Sequence, residues 1–297
     1  MGVDPPQRYS SRTALGVAAL RAAHQLLDGE PKILDDRIAA RLLHPDALRQ
    51  MQSKSARALE PLTQGLRSHV ILRSRYAEER MAQAVERGVQ QCVILGAGFD
   101  TFPYRQPEWA RALRIYEVDH RATQEEKRQR LQSAGIPMPA NLEFVAIDFE
   151  SVSLREGLQS STLNFTDPAF FSCLGVLVYL TREAAEAVFQ LVAGFPAGSE
   201  IVFTFSTPES SLVDEDAAHR AALAGLVNSL GEPWQTYFDP ETLMTDLRTL
   251  GFSDISFLSS DEADRRYFQS RSDGLRAPRR RGIGAAIVGN TSCNNPG

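Results

Sequence analysis

Gly96, Gly98, Asp119 and Asp148 follow three successive apolar runs, and residues of these types in these places could hold a nucleoside without holding its phosphates. The run Cys92-Val93-Ile94-Leu95 leads into Gly96-Ala97-Gly98-Phe99-Asp100-Thr101. Two glycines spaced this way permit a tight turn and let a ligand come close to the backbone. A dinucleotide fingerprint would need a third glycine and an immediate helix for the pyrophosphate, but Thr101 stands at that position and Pro103 follows. A phosphate-binding Gly-Lys-Ser/Thr is also missing after the turn. Asp119 closes the second run, 21 positions after Gly98, where a carboxylate can accept both hydroxyls of a ribose. Asp148 closes the third, 29 positions later, where it can accept from the adenine amino group while Phe149 lies beside the ring and offers its backbone N–H. Taken singly, a Gly-x-Gly is equally a structural turn and a strand-end acid is a common turn or N-cap residue. Three in succession favour an adenosine site.

A second cue lies upstream. On a helix at 62–88, Leu66, Val70, Ala77, Met81 and Ala84 share one stripe, with Arg73 in its middle and Arg75 opposite. An arginine on an apolar stripe needs an anionic partner or must snorkel out. Arg73 is therefore either half of a structural ion pair or a clamp reaching the sheet's carboxyl edge to hold a ligand carboxylate. Adenosine with a carboxylate and without phosphate describes S-adenosylmethionine.

Elements that could position these groups are legible along the chain. Helical patterns occupy 13–29, closing on Asp28-Gly29, then 35–43 and 62–88, with Gly88 as the C′ residue. From Cys92 onward strands are expected at 92–95, 113–118, 142–147, 169–180, 200–205, 254–258 and 283–288, most of them separated by amphipathic helices. Such alternation predicts an α/β fold with a parallel sheet covered on both faces, and ligands of such sheets bind at the strands' carboxyl ends. The expected organisation is a helical cap with the cofactor-clamping helix at 1–90, an α/β core at 91–289 with a helical insertion near 208–235, and a disordered tail at 290–297.

Composition narrows the class. Hydrophobic residues make up 43% of 297 and charged residues 23%, enough for a sizeable core, while a net charge of −5 argues against nucleic acid as a partner. No apolar run approaches the roughly 20 residues of a membrane span. The N-terminal segment lacks a signal-peptide pattern, so a cytoplasmic protein is expected. Cys92 and Cys173 sit in apolar runs as small core residues, Cys293 lies in the tail, and no metal-ligand spacing occurs. RAPRRRG at 276–282 reads as a solvated loop. None of the five histidines carries a general-base motif; His120 reads as a solvated helix start and Tyr179 as a packed aromatic.

VILGAGFDTFPYR, YEVD, AIDFE and CLGVLVYLT, in this order and spacing, resemble the leucine carboxyl methyltransferase family, and its bacterial branch of class I S-adenosylmethionine-dependent methyltransferases most closely. SRTALGVAALRAAH, GEPWQTYFDPETLMTDLRTLGF and RSDGLR fit that branch too, so the likeness runs from about Ser11 to Val288. The resemblance implies a seven-stranded Rossmann-like methyltransferase sheet whose last strand is antiparallel, with the N-terminal helices capping the site. It implies S-adenosyl-L-methionine as cofactor. Arg73 then holds the methionine carboxylate, Gly96 and Gly98 bring backbone to the methionine portion, Asp119 binds ribose, and Asp148 with Phe149 binds adenine. Arg21 corresponds to a second basic residue near the N-terminus. Where eukaryotic members carry a glutamate, this chain has Leu174.

The implied reaction moves a methyl group to an oxygen, carboxylate or hydroxyl, of a small-molecule acceptor or a protein C-terminus. A carboxylate is ionised at neutral pH and needs no base, which favours it, and no residue is singled out as catalytic. Trp234, Tyr237 and Phe238 are expected to shape the acceptor pocket with the N-terminal helices. A nicotinamide-dependent oxidoreductase and a non-catalytic cofactor-binding module on the same fold are the competing readings.

Overall fold

The computed structural model describes residues 11–53, 61–149, 153–208, 231–278 and 281–290, with a few positions between 221 and 229. Strands β1 (Gln91–Leu95), β2 (Arg114–Asp119), β3 (Leu142–Ala146), β4 (Ala169–Cys173), β5 (Glu200–Ser206), β6 (Phe252–Phe257) and β7 (Arg281–Val288) form one sheet in the order β3-β2-β1-β4-β5-β7-β6. Strand β7 runs antiparallel to both β5 and β6, and the pairs among β1 to β5 are parallel. The seven expected strands are all present, and the last in sequence is the antiparallel one. Its place between β5 and β6 depends on two glycines, because Gly282 and Gly284 stand opposite Phe205 and Phe203, and a Cβ on either would fall within 2.6 Å of a phenyl carbon.

Helices surround the sheet: α1 (Arg12–Leu27), α2 (Arg37–Arg41), α3 (Pro45–Ser53), α4 (Pro61–Glu86), α5 (Arg121–Ser133), α6 (Leu154–Gln159), α7 (Arg182–Ala193), α8 (Pro240–Thr249) and α9 (Ser260–Ala263). Their starts are capped by the residue types that accept exposed helix amides. Ser11, His120, Thr181 and Asp239 each accept from an amide two or three positions on. Gly88, with φ of 96°, ends α4 as the sequence suggests. One apolar cluster lies against α7 and α8 and a second against α4; the strands contribute alternate residues to each. Both thiols of the sheet, Cys92 and Cys173, are free and buried, and burial pushes that of Cys173 up to about 12.

Strand β4 is shorter than expected. Continuous apolarity over 169–180 reads as one strand, but Gly175 adopts φ of 74°, and Leu177–Tyr179 wind into a 3₁₀ turn. The expected tail and most of the expected insertion lie outside the described residues. Where the segment re-enters, 232–239 has no regular secondary structure. Phe238 is a correction to the expected acceptor group. It is 2% exposed, packs edge-on against Phe189 and is covered by Arg182, so it is a core residue.

Candidate functional site

Strand order reverses between β1 and β4, the switch point at which α/β sheets bind ligands. Register places the ends of three strands level there, with Leu95 opposite Val118 on one side and Cys173 on the other. The turn after β1 therefore faces Asp119 across one seam and the 174–179 turn across the other.

Gly96 has φ of 60° and Gly98 φ of 46°, the left-handed region that side chains disfavour. A Cβ on Gly96 would lie 2.3 Å from Val176 Cγ2, and one on Gly98 would lie 3.0 Å from the Ala14 side chain of α1. The glycines are thus needed both for the turn and for the close approach of its neighbours. Gly96→Ala is expected to cost about 2 kcal/mol or more from φ strain and the clash together. Urea unfolding should show it, and adding Val176→Ala should recover only the clash.

Asp119 Oδ2 accepts from the Gly98 amide at 2.6 Å, and Oδ1 accepts from His120 N at 2.7 Å. It keeps an edge toward solvent, yet the protein packed around it pushes its carboxyl above the ordinary range, against the pull of those two amides and Lys127. The Ile147 amide donates to Asp119 O, which brings Asp148 and Phe149 beside the end of β2. Phe149 packs half-buried against the first core cluster. Arg73 is 9% exposed, and its guanidinium crosses the end of β4 so closely that a Cβ on Gly175 would lie 2.5 Å from Nη1. It reaches the carboxyl edge of the sheet, as its place on the helical stripe suggested. Arg21 lies against the turn, donating to Phe99 O at 3.4 Å and to Thr101 Oγ1 at 3.5 Å, with Asp36 at 3.4 Å and Asp100 at 3.7 Å. Its buried Nε has no hydrogen-bond partner.

Beneath the turn lies a charged layer that sequence reasoning missed. Glu117 is fully buried in β2, with Lys127 Nζ from α5 at 2.6 Å and the Tyr104 hydroxyl at 3.5 Å. Burial pushes Glu117 up to about 7 against the attraction of Lys127. Asp36 accepts from Thr101 Oγ1 at 2.7 Å and lies 3.6 Å from Arg105, which also pairs with Glu78. Asp100 accepts from the Phe102 amide at 2.8 Å; burial raises its carboxyl, but Arg21, Lys127, Arg105 and that amide bring it below the ordinary range.

This donor set fits S-adenosylmethionine and fits a dinucleotide poorly. A pyrophosphate needs free amides at a helix start directly after the turn. Here an anionic carboxylate already occupies the Phe102 amide, and Pro103 sits in a single 3₁₀ turn. Two arginines, two strand-end carboxylates and side-chain-free backbone suit a carboxylate, a diol and an adenine. A groove of about 290 Å³ between α5 and β3 is lined by Arg121, Arg128, Glu143 and Ala146, the last paired in register with Asp119.

On the β4 side, the Tyr179 hydroxyl faces Thr13 and Trp234, and burial raises its phenol while Arg73 and those two neighbours lower it. The Thr13 hydroxyl, itself buried, makes no hydrogen bond of good geometry. His24 is buried against Asp28 at 2.8 Å, and His120 is the N-cap of α5. Leu174 packs against the second core cluster.

The sequence pattern of the leucine carboxyl methyltransferase family matches residues 14–193. YktD of Bacillus subtilis, provisionally named an S-adenosyl-L-methionine-dependent methyltransferase, is 31% identical over 290 residues, covering 90% of this chain and 94% of that protein. A protein of Mycolicibacterium paratuberculosis with the same provisional name is 29% identical over 205 residues, covering 67% of this chain and 76% of its own. Among solved structures, a DUF574 family protein from Streptomyces avermitilis superposes with a TM-score of 0.57 at 16% identity, covering 94% of this chain and 98% of that one. A protein from Thermobifida fusca, provisionally titled a methyltransferase, gives 0.58 at 17% identity, covering 97% and 100%. These two show the shared fold.

Proposed function

The chain belongs to the leucine carboxyl methyltransferase family, and on that premise we propose that it is an S-adenosylmethionine-dependent methyltransferase acting on an oxygen of a small molecule, a carboxylate in preference to a hydroxyl. The observation that carries the cofactor part is the glycine turn at the switch point with Asp119 bonded to it and the Phe102 amide closed to phosphate. The cofactor supplies an activated methyl group on a sulfonium. In this reading Arg73 and Arg21 hold its carboxylate end, Asp119 orients the ribose, and Asp148 with the Phe149 amide fixes the base. Holding donor and acceptor in line removes much of the entropic barrier, so positioning is the main task of the chain.

The preference for a carboxylate rests on its needing no base and on the engagement of the two histidines beside the glycine turn and α1. His24 is engaged with Asp28 and His120 with the start of α5. Tyr179, in the β4 turn, is a phenol whose proton burial retains. A carboxylate acceptor arrives already ionised, whereas an alcohol would need its proton taken.

Two measurements test this. Calorimetric titration should show micromolar binding of S-adenosylmethionine and S-adenosylhomocysteine and none of NAD; tight NAD binding would overturn the cofactor reading. Methyl-labelled transfer to a panel of carboxylic acids and matching alcohols should give products that mild alkali cleaves, because esters hydrolyse there and ethers do not. Alkali-stable label would assign a hydroxyl acceptor instead.

A further inference from the structure

The segments SRT, at the start of α1, and GEPW, near 231–234, stand out in the sequence without a role, and the structure brings them together. The Ser11 hydroxyl donates to Glu232 Oε2 at 3.0 Å, and the Arg12 amide donates to Glu232 Oε1 at 2.9 Å. Arg12 N is one of the amides that a helix start leaves without an internal partner. A carboxylate placed there also meets the positive end of the helix dipole. Ser11 Oγ in turn accepts from Ala14 N at 3.0 Å, so one hydroxyl links the helix cap to Glu232.

Each side of this contact is fastened to a different part of the site. Toward the cofactor turn, α1 lays Ala14 on Gly98 and Arg21 on Phe99 and Thr101. Toward the β4 side, the segment after Glu232 is tied to the 178–180 turn. Gln235 N donates to Val178 O at 2.7 Å, Gln235 Nε2 to Tyr179 O at 2.7 Å, and Thr236 Oγ1 to Leu180 O at 2.6 Å. Between the two sides, Thr13 and Trp234 meet at the Tyr179 hydroxyl.

We infer that Glu232 is a positioning residue that joins the cap over the glycine turn to the β4-side segment, so that retention of the cofactor and ordering of the acceptor subsite depend on one contact. This rests on the proposed cofactor reading. Glu232 makes no hydrogen bond to the turn or to Tyr179, although its charge raises the Tyr179 phenol; its bonds are to the start of α1.

The test is Glu232→Ala beside Glu232→Gln, read by stopped-flow release of S-adenosylhomocysteine and by hydrogen exchange of α1 with and without that ligand. Two charge-assisted bonds, partly exposed, correspond to about tenfold faster release in the alanine variant. The glutamine variant keeps one acceptor and should fall between alanine and wild type. Ligand-induced protection should be lost in the first turn of α1 and kept in α5 and the sheet. Unchanged release, or a uniform rise in exchange with a matching fall in Tm, would overturn the inference and leave the cofactor reading standing. Failure of the wild-type protein to bind S-adenosylhomocysteine at all would overturn both.

Discussion

Lys127→Met is expected to destabilise the protein by about 3–5 kcal/mol at pH 8 and by clearly less at pH 6. Lys127 is 1% exposed and Glu117 fully buried, so each is the other's main compensation for leaving water. Methionine fills similar space without the charge, and Glu117 then stands buried beside Asp100 and Asp119, both of which raise its proton affinity. The sign follows from linkage. A carboxyl whose native value lies above its ordinary 4.5 binds its proton first in the folded state, so stability falls as pH rises through that interval. In the wild type the interval ends near 7, where Lys127 holds it. Without Lys127 it extends upward, and the two proteins diverge as pH climbs past 7. Urea midpoints at both pH values decide the matter; equal losses would show that Lys127 contributes packing, not charge. Adding Glu117→Gln to the variant should recover most of the loss, because a neutral pair of similar shape needs no counter-charge.

That layer also marks the limit of what the sequence reveals. The strands and the glycine turn were legible because strand-length apolar runs, punctuated by glycine and acid, are local patterns. Arg73 was legible because a cation on an apolar helical stripe is a local contradiction. The same argument would have found Lys127, which shares its buried helix face with Thr123 and Leu131, but α5 is so polar overall that no apolar stripe drew attention to it. Glu117 was hidden differently. In a strand covered on both sides, Tyr116 and Val118 are as buried as Glu117, so alternation gives no sign of which polar residue turns inward. Leu174 to Leu180 misled because continuous apolarity cannot distinguish a strand from a buried turn, and only the left-handed Gly175 decides. Trp234, Tyr237 and Phe238 are near neighbours in sequence, yet a segment without regular structure gives successive residues no common face. Phe238 lies beyond the end of β5, its backbone N–H donating to Ser206 O at 2.9 Å, and enters the core. The contact of Ser11 with Glu232 spans 221 positions, and no local signal predicts it.

Asp119→Ala is expected to weaken S-adenosylhomocysteine binding by about 100-fold or more, since hydrogen bonds to a charged group contribute about 1.5–3 kcal/mol each. Two losses are combined in that number. The proposed ribose contact disappears, and the Gly98 amide loses the oxygen it donates to at 2.6 Å, which frees the turn that must meet the ligand. Asp119→Asn separates them. Its amide oxygen can still accept from Gly98, while its other end becomes a donor where the ribose reading needs an acceptor. Asparagine should therefore keep the Gly98 bond but lose the one from His120 N, with a small fall in Tm, and still lose about tenfold in affinity. The pH dependence gives a further check. Because the surroundings hold the Asp119 carboxyl above its ordinary range, wild-type affinity should fall as acid protonates it, and the asparagine variant should lack that fall. Wild-type affinity in the asparagine variant would remove Asp119 from the cofactor site and leave it as a brace for the turn. Loss in alanine with retention in asparagine would assign the whole effect to Gly98. Loss in both, with the fold intact, is the result that the reading of this strand end requires.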